Sequence, residues 1–294
     1  MESLAQGWVG WFVASFLGLS VGSFANVAVY RIPREGLGVS SPARSFCPAC
    51  DTKLTWFDNI PLISWIVLGG RCRSCKQRIP VRYPAVELLV GLLFVLFWAV
   101  LDPGATGAWG LLLIGWVMAS LCVIVSAIDL EHFIIPDVIT LPGIPLGLAL
   151  SFLYPALHAE HVFFRPESPA SSSLIVGMAG ALAGGGSLWL VGALGNFMLR
   201  KQIQEAGVED AMGLGDVKWM AFAGTILGPL LVLEAILVAC FAGALVGIAM
   251  KVIARMGGKD APVGIPFGPF LSVGILIELV DPGAAWAVLG LIHA

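Results

Sequence analysis

Charged side chains are scarce in this sequence. Only 12% of its 294 residues are Asp, Glu, Lys or Arg, against 58% hydrophobic residues and a mean hydropathy of +0.93. So few polar groups cannot cover the surface of a soluble domain, which excludes that class and leaves a polytopic membrane protein. The first apolar run has no basic segment before it and no small-residue cleavage site after it. Residues 8–30 are therefore expected to stay as a membrane span and not to act as a removable signal. No HExxH metal motif and no Ser/His/Asp grouping is visible, and Gly184 to Gly186 lack the strand-to-helix context of a phosphate loop. Without a recognition helix or an interleaved aromatic pattern, no nucleic-acid partner is expected.

What the chain has is apolar runs, and runs of about 20 residues read as spans. The expected architecture is all-α, a polytopic membrane protein of about eight transmembrane helices, near residues 8–30, 84–101, 109–128, 138–154, 173–199, 217–228, 230–250 and 264–290. Gly228 and Pro229 divide the sixth from the seventh. The Lys and Arg residues fall in clusters: nine between Arg31 and Arg82, then Arg200, Lys201 and Lys218, then Lys251, Arg255 and Lys259, with Arg165 apart. Cytoplasmic loops collect positive charge, so an even number of spans with both termini outside puts all three clusters in the cytoplasm. The loop with His158 and His161 is then exterior and solvated. Gly177 to Gly195 suit close helix packing.

The loop between the first two spans, residues 31–83, carries the clearest motif. Cys47 and Cys50 in CPAC are followed after 21 residues by Cys72 and Cys75 in CRSC. Two CxxC pairs at this separation form knuckles that supply four thiolates to a tetrahedral Zn²⁺, with no open position for water, so the metal is expected to be structural. A reducing cytoplasm favours metal over disulfides, and a loop of this size has too little apolar area for a core of its own. Its formal charge of +6 suits topology and attraction to anionic membrane lipid. Cys122 and Cys240 lie within spans and read as small buried hydrophobes. Asn26 and Glu87, on the helices framing the loop, are placed to bond across their interface.

Acids among apolar spans are the second motif. Ile128 to Asp137 reads IDLEHFIIPD, and Asp216 stands in GLGDVK. An unpartnered carboxylate in hydrocarbon costs several kcal/mol, so such residues suggest function, although a short polar turn is the plain alternative. The topology puts Asp129 and Asp216 at cytoplasmic helix ends, where they can face one another. Two carboxyl groups in a dry site titrate apart, so that one takes a proton from water while the other polarises a peptide carbonyl. Gly213 and Gly215 permit close approach, and Lys218 could bias ionisation. A transporter with the two aspartates as proton or cation ligands stays open on these residues.

In order, GSFANVAVYRIP, the CPAC and CRSC pair, RYPAVE, DLEHFIIPD and GLGDVK resemble the bacterial type IV prepilin peptidases, bifunctional leader peptidases and N-methyltransferases with a GxGD aspartyl protease motif. The resemblance runs from about Gly22 to Lys218. It implies a first helix at 1–30, a zinc-binding cytoplasmic loop at 31–83 and a seven-helix peptidase core at 84–294. It also implies a bacterial inner-membrane enzyme that cuts the basic leader from prepilins or type II secretion pseudopilins and methylates the new N-terminus with S-adenosylmethionine. Asp129 and Asp216 match the family's catalytic aspartates, and the four cysteines match those of bifunctional members. Glu131 and Asp137 are candidate supporting carboxylates, with Gly213, Gly215 and Lys218 beside the second aspartate. No methyl-donor residues are identified.

Overall fold

The computed structural model describes residues 2–159, 166–198, 200, 210, 212–257 and 264–283. Arg165, Lys201, Lys259, His161, most of the 200–212 loop and residues 284–290 of the last expected span lie outside them. Nine α-helices are named here: α1 Glu2–Arg31, α2 Ile63–Val67, α3 Arg82–Leu101, α4 Pro103–Thr106, α5 Trp109–His132, α6 Asp137–Leu153, α7 Pro169–Met198, α8 Leu214–Met256 and α9 Gly268–Val280. Among the described residues there is no β-strand, only the isolated bridges Phe46 with Lys53 and Arg71 with Arg78. Among the described residues five helices are long and apolar enough to cross a membrane, and Asp137–Leu153 and Gly268–Val280 are shorter apolar helices. The all-α membrane architecture is as the apolar runs suggest.

The chain divides into two compact units, Met1–Ile128 and Asp129–Ala294. In the first, α1 and α3 pack antiparallel through small residues. A Cβ on Gly18 would stand 2.8 Å from the Gly91 Cα, and one on Gly22 would stand 2.7 Å from the Glu87 Cα. Small side chains bring helix backbones together where lipid offers no hydrophobic drive for association. Polar groups complete the pairing, though not as expected. Asn26 donates to the Tyr83 carbonyl (2.9 Å), whereas Glu87 accepts the Leu62 amide (2.8 Å), so the two do not bond to one another. Trp116 of α5 stacks on Phe94 at 4.6 Å and donates its indole N–H to the Phe94 carbonyl (3.0 Å).

In the second unit the glycines of α6 and α7 receive the first limb of α8. Gly143 takes the Phe222 ring, with its missing Cβ 2.6 Å from the ring edge. A Cβ on Gly180 would run into the carbonyl oxygen of Gly224, and one on Gly224 would run into that of Gly180. Ser151 donates to the Thr225 carbonyl (2.9 Å). Helix α8 breaks at Gly228 (φ 75°, ψ 175°), immediately before Pro229. Proline cannot donate to the helix ladder, and the left-handed φ needs glycine, so these two residues together turn the chain. The first limb, 214–227, is about 21 Å long against about 30 Å of hydrocarbon. The second limb meets α9, with Gly274 against the backbone of Ala235. Glu234 and Glu278 are buried on these helices, and Glu278 accepts the Gly283 amide (2.9 Å).

Two further expectations change. His158 is not solvated but buried, with Nδ1 2.9 Å from the Ser173 hydroxyl. Cys122 is buried as expected, whereas Cys240 lies on an exposed helix face.

The α7–α8 approach is tested by Gly180→Val. The new side chain must displace the Gly224 carbonyl, and overpacking of this kind costs about 1–3 kcal/mol. Its unfolding temperature in detergent should fall clearly. Gly186→Ala, which meets nothing within 4 Å, should leave it unchanged.

Candidate functional site

Asp129 stands in the last turn of α5. That helix stops at His132 because Phe133 adopts a left-handed conformation (φ 56°) and donates its amide to the Asp129 carbonyl (2.9 Å). Three residues then cross to α6, whose N-cap is Pro136. The motif IDLEHFIIPD is thus a helix end, a tight turn and a helix start.

Asp216 lies in the first turn of α8, after the N-cap Gly213. Gly215 brings the two segments together. A Cβ there would be 3.0 Å from the Ile135 Cβ and 3.4 Å from the Ile135 backbone N and O, so the turn after Asp129 sits directly on the turn bearing Asp216. The helix end that carries Asp129 and the helix start that carries Asp216 are thus brought together through their adjoining turns. Gly213 is less constrained: its Cβ would meet the Asp216 Oδ2 at 3.5 Å, an ordinary contact, and the glycine leaves that approach open.

A third segment reaches the pair, and sequence reasoning passed over it. Asp129 is only 5% exposed, and its Oδ2 accepts the backbone N–H of Gly268 at 2.8 Å. Gly268 is the first residue of α9, followed by Pro269. A Cβ on Gly268 would itself lie 2.8 Å from that oxygen, so any larger residue pushes the carboxyl aside. A buried carboxylate without a donor would be strongly disfavoured, and this amide supplies one. The available signal was glycine followed by proline at the start of an apolar helix, a pattern of helix N-termini generally.

The other acids of the motif are placed differently. Glu131 is exposed at the end of α5. Asp137 opens α6 and binds Lys218 through both oxygens, at 2.7 and 2.9 Å. The lysine that could have acted on Asp216 is therefore engaged by Asp137, tying the start of α6 to the start of α8. Both partners are partly solvated, so the pair adds at most about 1 kcal/mol.

The four cysteines of the first unit form a second site. The Sγ atoms of Cys47, Cys50, Cys72 and Cys75 all lie within 4.8 Å of one another, and none is in a disulfide. Their loops repeat one geometry. Cys47 N–H donates to the Thr52 carbonyl (3.0 Å) and Cys72 N–H to that of Gln77 (2.9 Å). Asp51 N–H returns to the Cys47 carbonyl (2.9 Å) and Lys76 N–H to that of Cys72 (3.1 Å). Asp51 and Lys76 each take a positive φ, and the bridges 46–53 and 71–78 close the knuckles. Burial pushes the Cys47 thiol up to about 11. The Thr52 hydroxyl and amide hold Cys50 down at about 6. A cation bound by the four thiolates would overcome the cost of ionising Cys47, and this donor set fits a tetrahedral metal. The loop is anchored by Arg31. Buried at the end of α1, it donates to the carbonyls of Gly38, Val39, Pro42 and Arg44. Beside it Leu37, Pro42, Ala43, Arg44, Phe46, Asp51 and Lys53 line a cavity of about 530 Å³.

Two family models match the chain. One, described as the bacterial peptidase A24 N-terminal domain, covers residues 16–101, and the other, the type IV leader peptidase family, covers 116–248. Similar curated proteins are named prepilin leader peptidase/N-methyltransferase. One from Aeromonas salmonicida is 32% identical over 94% of this chain and 93% of its own length. Another from Pseudomonas aeruginosa is 34% identical over 90% and 88%, and one from Myxococcus xanthus is 36% identical over 90% and 72%. No solved structure matches.

The cysteine cluster makes a stoichiometric prediction. Purified protein should carry one tightly bound metal ion per chain, as read by elemental analysis. Cys50→Ser should lower that content severalfold and make the 31–83 loop more sensitive to protease, with the helices unaffected.

Proposed function

The chain belongs to the type IV leader peptidase family, and from that membership we propose that it removes the short basic leader of type IV prepilins or type II secretion pseudopilins and then N-methylates the new N-terminal residue. It is a multi-pass protein of the bacterial inner membrane. The cysteine loop and the aspartate pair face the cytoplasm and both termini lie outside, the arrangement that the clustered Lys and Arg residues favour.

Leader removal falls to Asp129 and Asp216. The observation that supports this reading is that the helix end bearing Asp129 and the helix start bearing Asp216 meet through Ile135 and Gly215, with the Gly268 amide on Asp129. In a pair of this kind one carboxylate takes a proton from water as the oxygen attacks the peptide carbonyl. The other, protonated, gives its proton to the carbonyl oxygen, and breakdown of the tetrahedral intermediate passes a proton to the departing amine. No covalent intermediate is needed. A prepilin has a basic leader followed by an apolar helix. With the helix among the spans and the leader in the cytoplasm, the junction lies at the depth of helix ends such as these. Gly213 and Gly215 leave the backbone around Asp216 free of side chains. Lys218 and Asp137 hold the starts of α6 and α8 together.

The tetrathiolate site is assigned to Zn²⁺, held by Cys47, Cys50, Cys72 and Cys75, in a structural role because the four thiolates leave no open position. S-adenosylmethionine supplies the methyl group. The 530 Å³ cavity falls in the range of small-molecule sites. Arg44 and Lys53 offer positive charge to a carboxylate and Asp51 negative charge to a cationic end, and the donor is assigned there.

Asp129→Asn and Asp216→Asn should each abolish leader removal, seen as loss of the shortened product by mass when purified protein is incubated with a prepilin. Both should keep the wild-type helix content, and full cleavage by either would remove that residue from the mechanism. Gly268→Val should reduce cleavage by about 10²-fold, the scale of effect that displacing a positioned catalytic group produces. For the methyl donor, Arg44→Ala combined with Lys53→Ala should weaken S-adenosylmethionine binding in calorimetry while leader cleavage continues.

A further inference from the structure

The segment between the two cysteine knuckles is not built like part of a soluble loop. Trp56 is 80% exposed, Ile63 59%, Ile66 69% and Val67 75%. Ile63, Ile66 and Val67 stand at i, i+3 and i+4 of α2 and so form one apolar stripe. The opposite side of the same turn faces the protein: Ser64 donates to the Ile60 carbonyl (2.8 Å) and Trp65 to that of Ile79 (3.2 Å), with Gly70 against the Trp65 ring. The outward side of this turn is therefore wholly apolar, with Trp65 and Ser64 on the inward side. In water such a patch would favour aggregation.

Its level along the helices explains the pattern. The amide of Leu62, just before α2, donates to the Glu87 carboxylate (2.8 Å). Glu87 lies in the second turn of α3, roughly 7 Å from its start at the usual rise per residue. Across from it stands Gly22 of α1, roughly 13 Å short of that helix's end at Arg31. Residue 62 is therefore level with the first turns of α3 and short of the end of α1, at the depth where both spans enter the membrane. Around the other edge of the segment, Arg71, Lys76 and Arg78 are exposed, and Arg73 pairs with Asp58 (2.8 Å). A tryptophan next to an apolar stripe with a fringe of cations has the composition of a segment lying in a membrane interface.

We propose that residues 56–67 form a re-entrant interfacial element, with Ile63, Ile66 and Val67 in the acyl region of an anionic leaflet and Trp56 at its headgroup level. The metal site thereby rests on the bilayer at two places, through the spans and through this element. Non-helical backbone at membrane depth is tolerated where protein satisfies it, and the bond from Leu62 to Glu87 does so for the residue entering α2. The proposal rests on the fold of the first unit and is independent of the catalytic reading.

The test uses the full-length protein in nanodiscs of phosphatidylethanolamine and phosphatidylglycerol, with p-benzoylphenylalanine placed at Ile66, at Ile63 or, as a control, at exposed Ser40. Illumination should give phospholipid adducts by mass spectrometry at Ile66 and Ile63 and none at Ser40, with or without an added prepilin. Adducts of both labels to the chain's own helices, adducts that shift to the prepilin when it is present, or lipid labelling no greater than at Ser40 would each overturn the assignment.

Discussion

A carboxyl group enters an apolar helix bundle only if something replaces the water it leaves. Here the replacement is backbone. Asp129 receives the amide of Gly268, and the segment bearing Asp216 is brought up by Gly215 lying on Ile135. A Cβ on Gly268 would force the Asp129 carboxyl to move, and one on Gly215 would press tightly on Ile135. The site therefore depends on backbone surfaces meeting at glycine, and the helices are arranged to allow it. The break at Gly228 sends α8 back toward α9, and α9 begins where its first amide meets Asp129.

The same economy of small residues runs through both units. Gly18 and Gly22 seat α1 on α3, while Gly143, Gly180 and Gly184 seat α6 and α7 on α8. In lipid the drive for association is close packing and polar bonding, since the tails are as apolar as the side chains. Several ionisable groups have specific partners. Arg31 grips four carbonyls and orders the start of the cysteine loop, Asp137 binds Lys218, and Glu87 binds Leu62. The cysteine knuckles, too small to fold on apolar burial alone, are shaped by paired backbone bonds that point four thiols inward.

Much of the helical order was legible because membrane spans are read one at a time. Hydrocarbon thickness sets their length, and Gly228 with Pro229 announced a break that the structure places at the same residue. The cysteine cluster was legible for a similar reason, since two CxxC knuckles carry their own geometry. Polar contacts between helices were harder. Asn26 and Glu87 looked like partners and are not, and His158 looked solvated but is buried on Ser173. Asp129 matched the family's first catalytic aspartate, but the linear motif did not say whether Glu131 and Asp137 tune that acid or hold the turn. In the structure Asp129 is buried near the end of α5, Glu131 is exposed two residues further on, and Asp137 opens α6.

Composition, run length and motif spacing by themselves determined an all-helical membrane protein with a four-thiol loop and two acids of interest, because each of these is a local property of the chain. Tertiary structure decided which groups meet. Gly268 is 139 residues from Asp129 in sequence, and its contribution is a backbone amide. Every residue except proline carries such an amide, so no pattern of side chains could have marked this one. The outward stripe of α2 is of the same kind: its residues are visible in the sequence, but whether they face a core or a bilayer depends on Leu62 meeting Glu87 partway along a span.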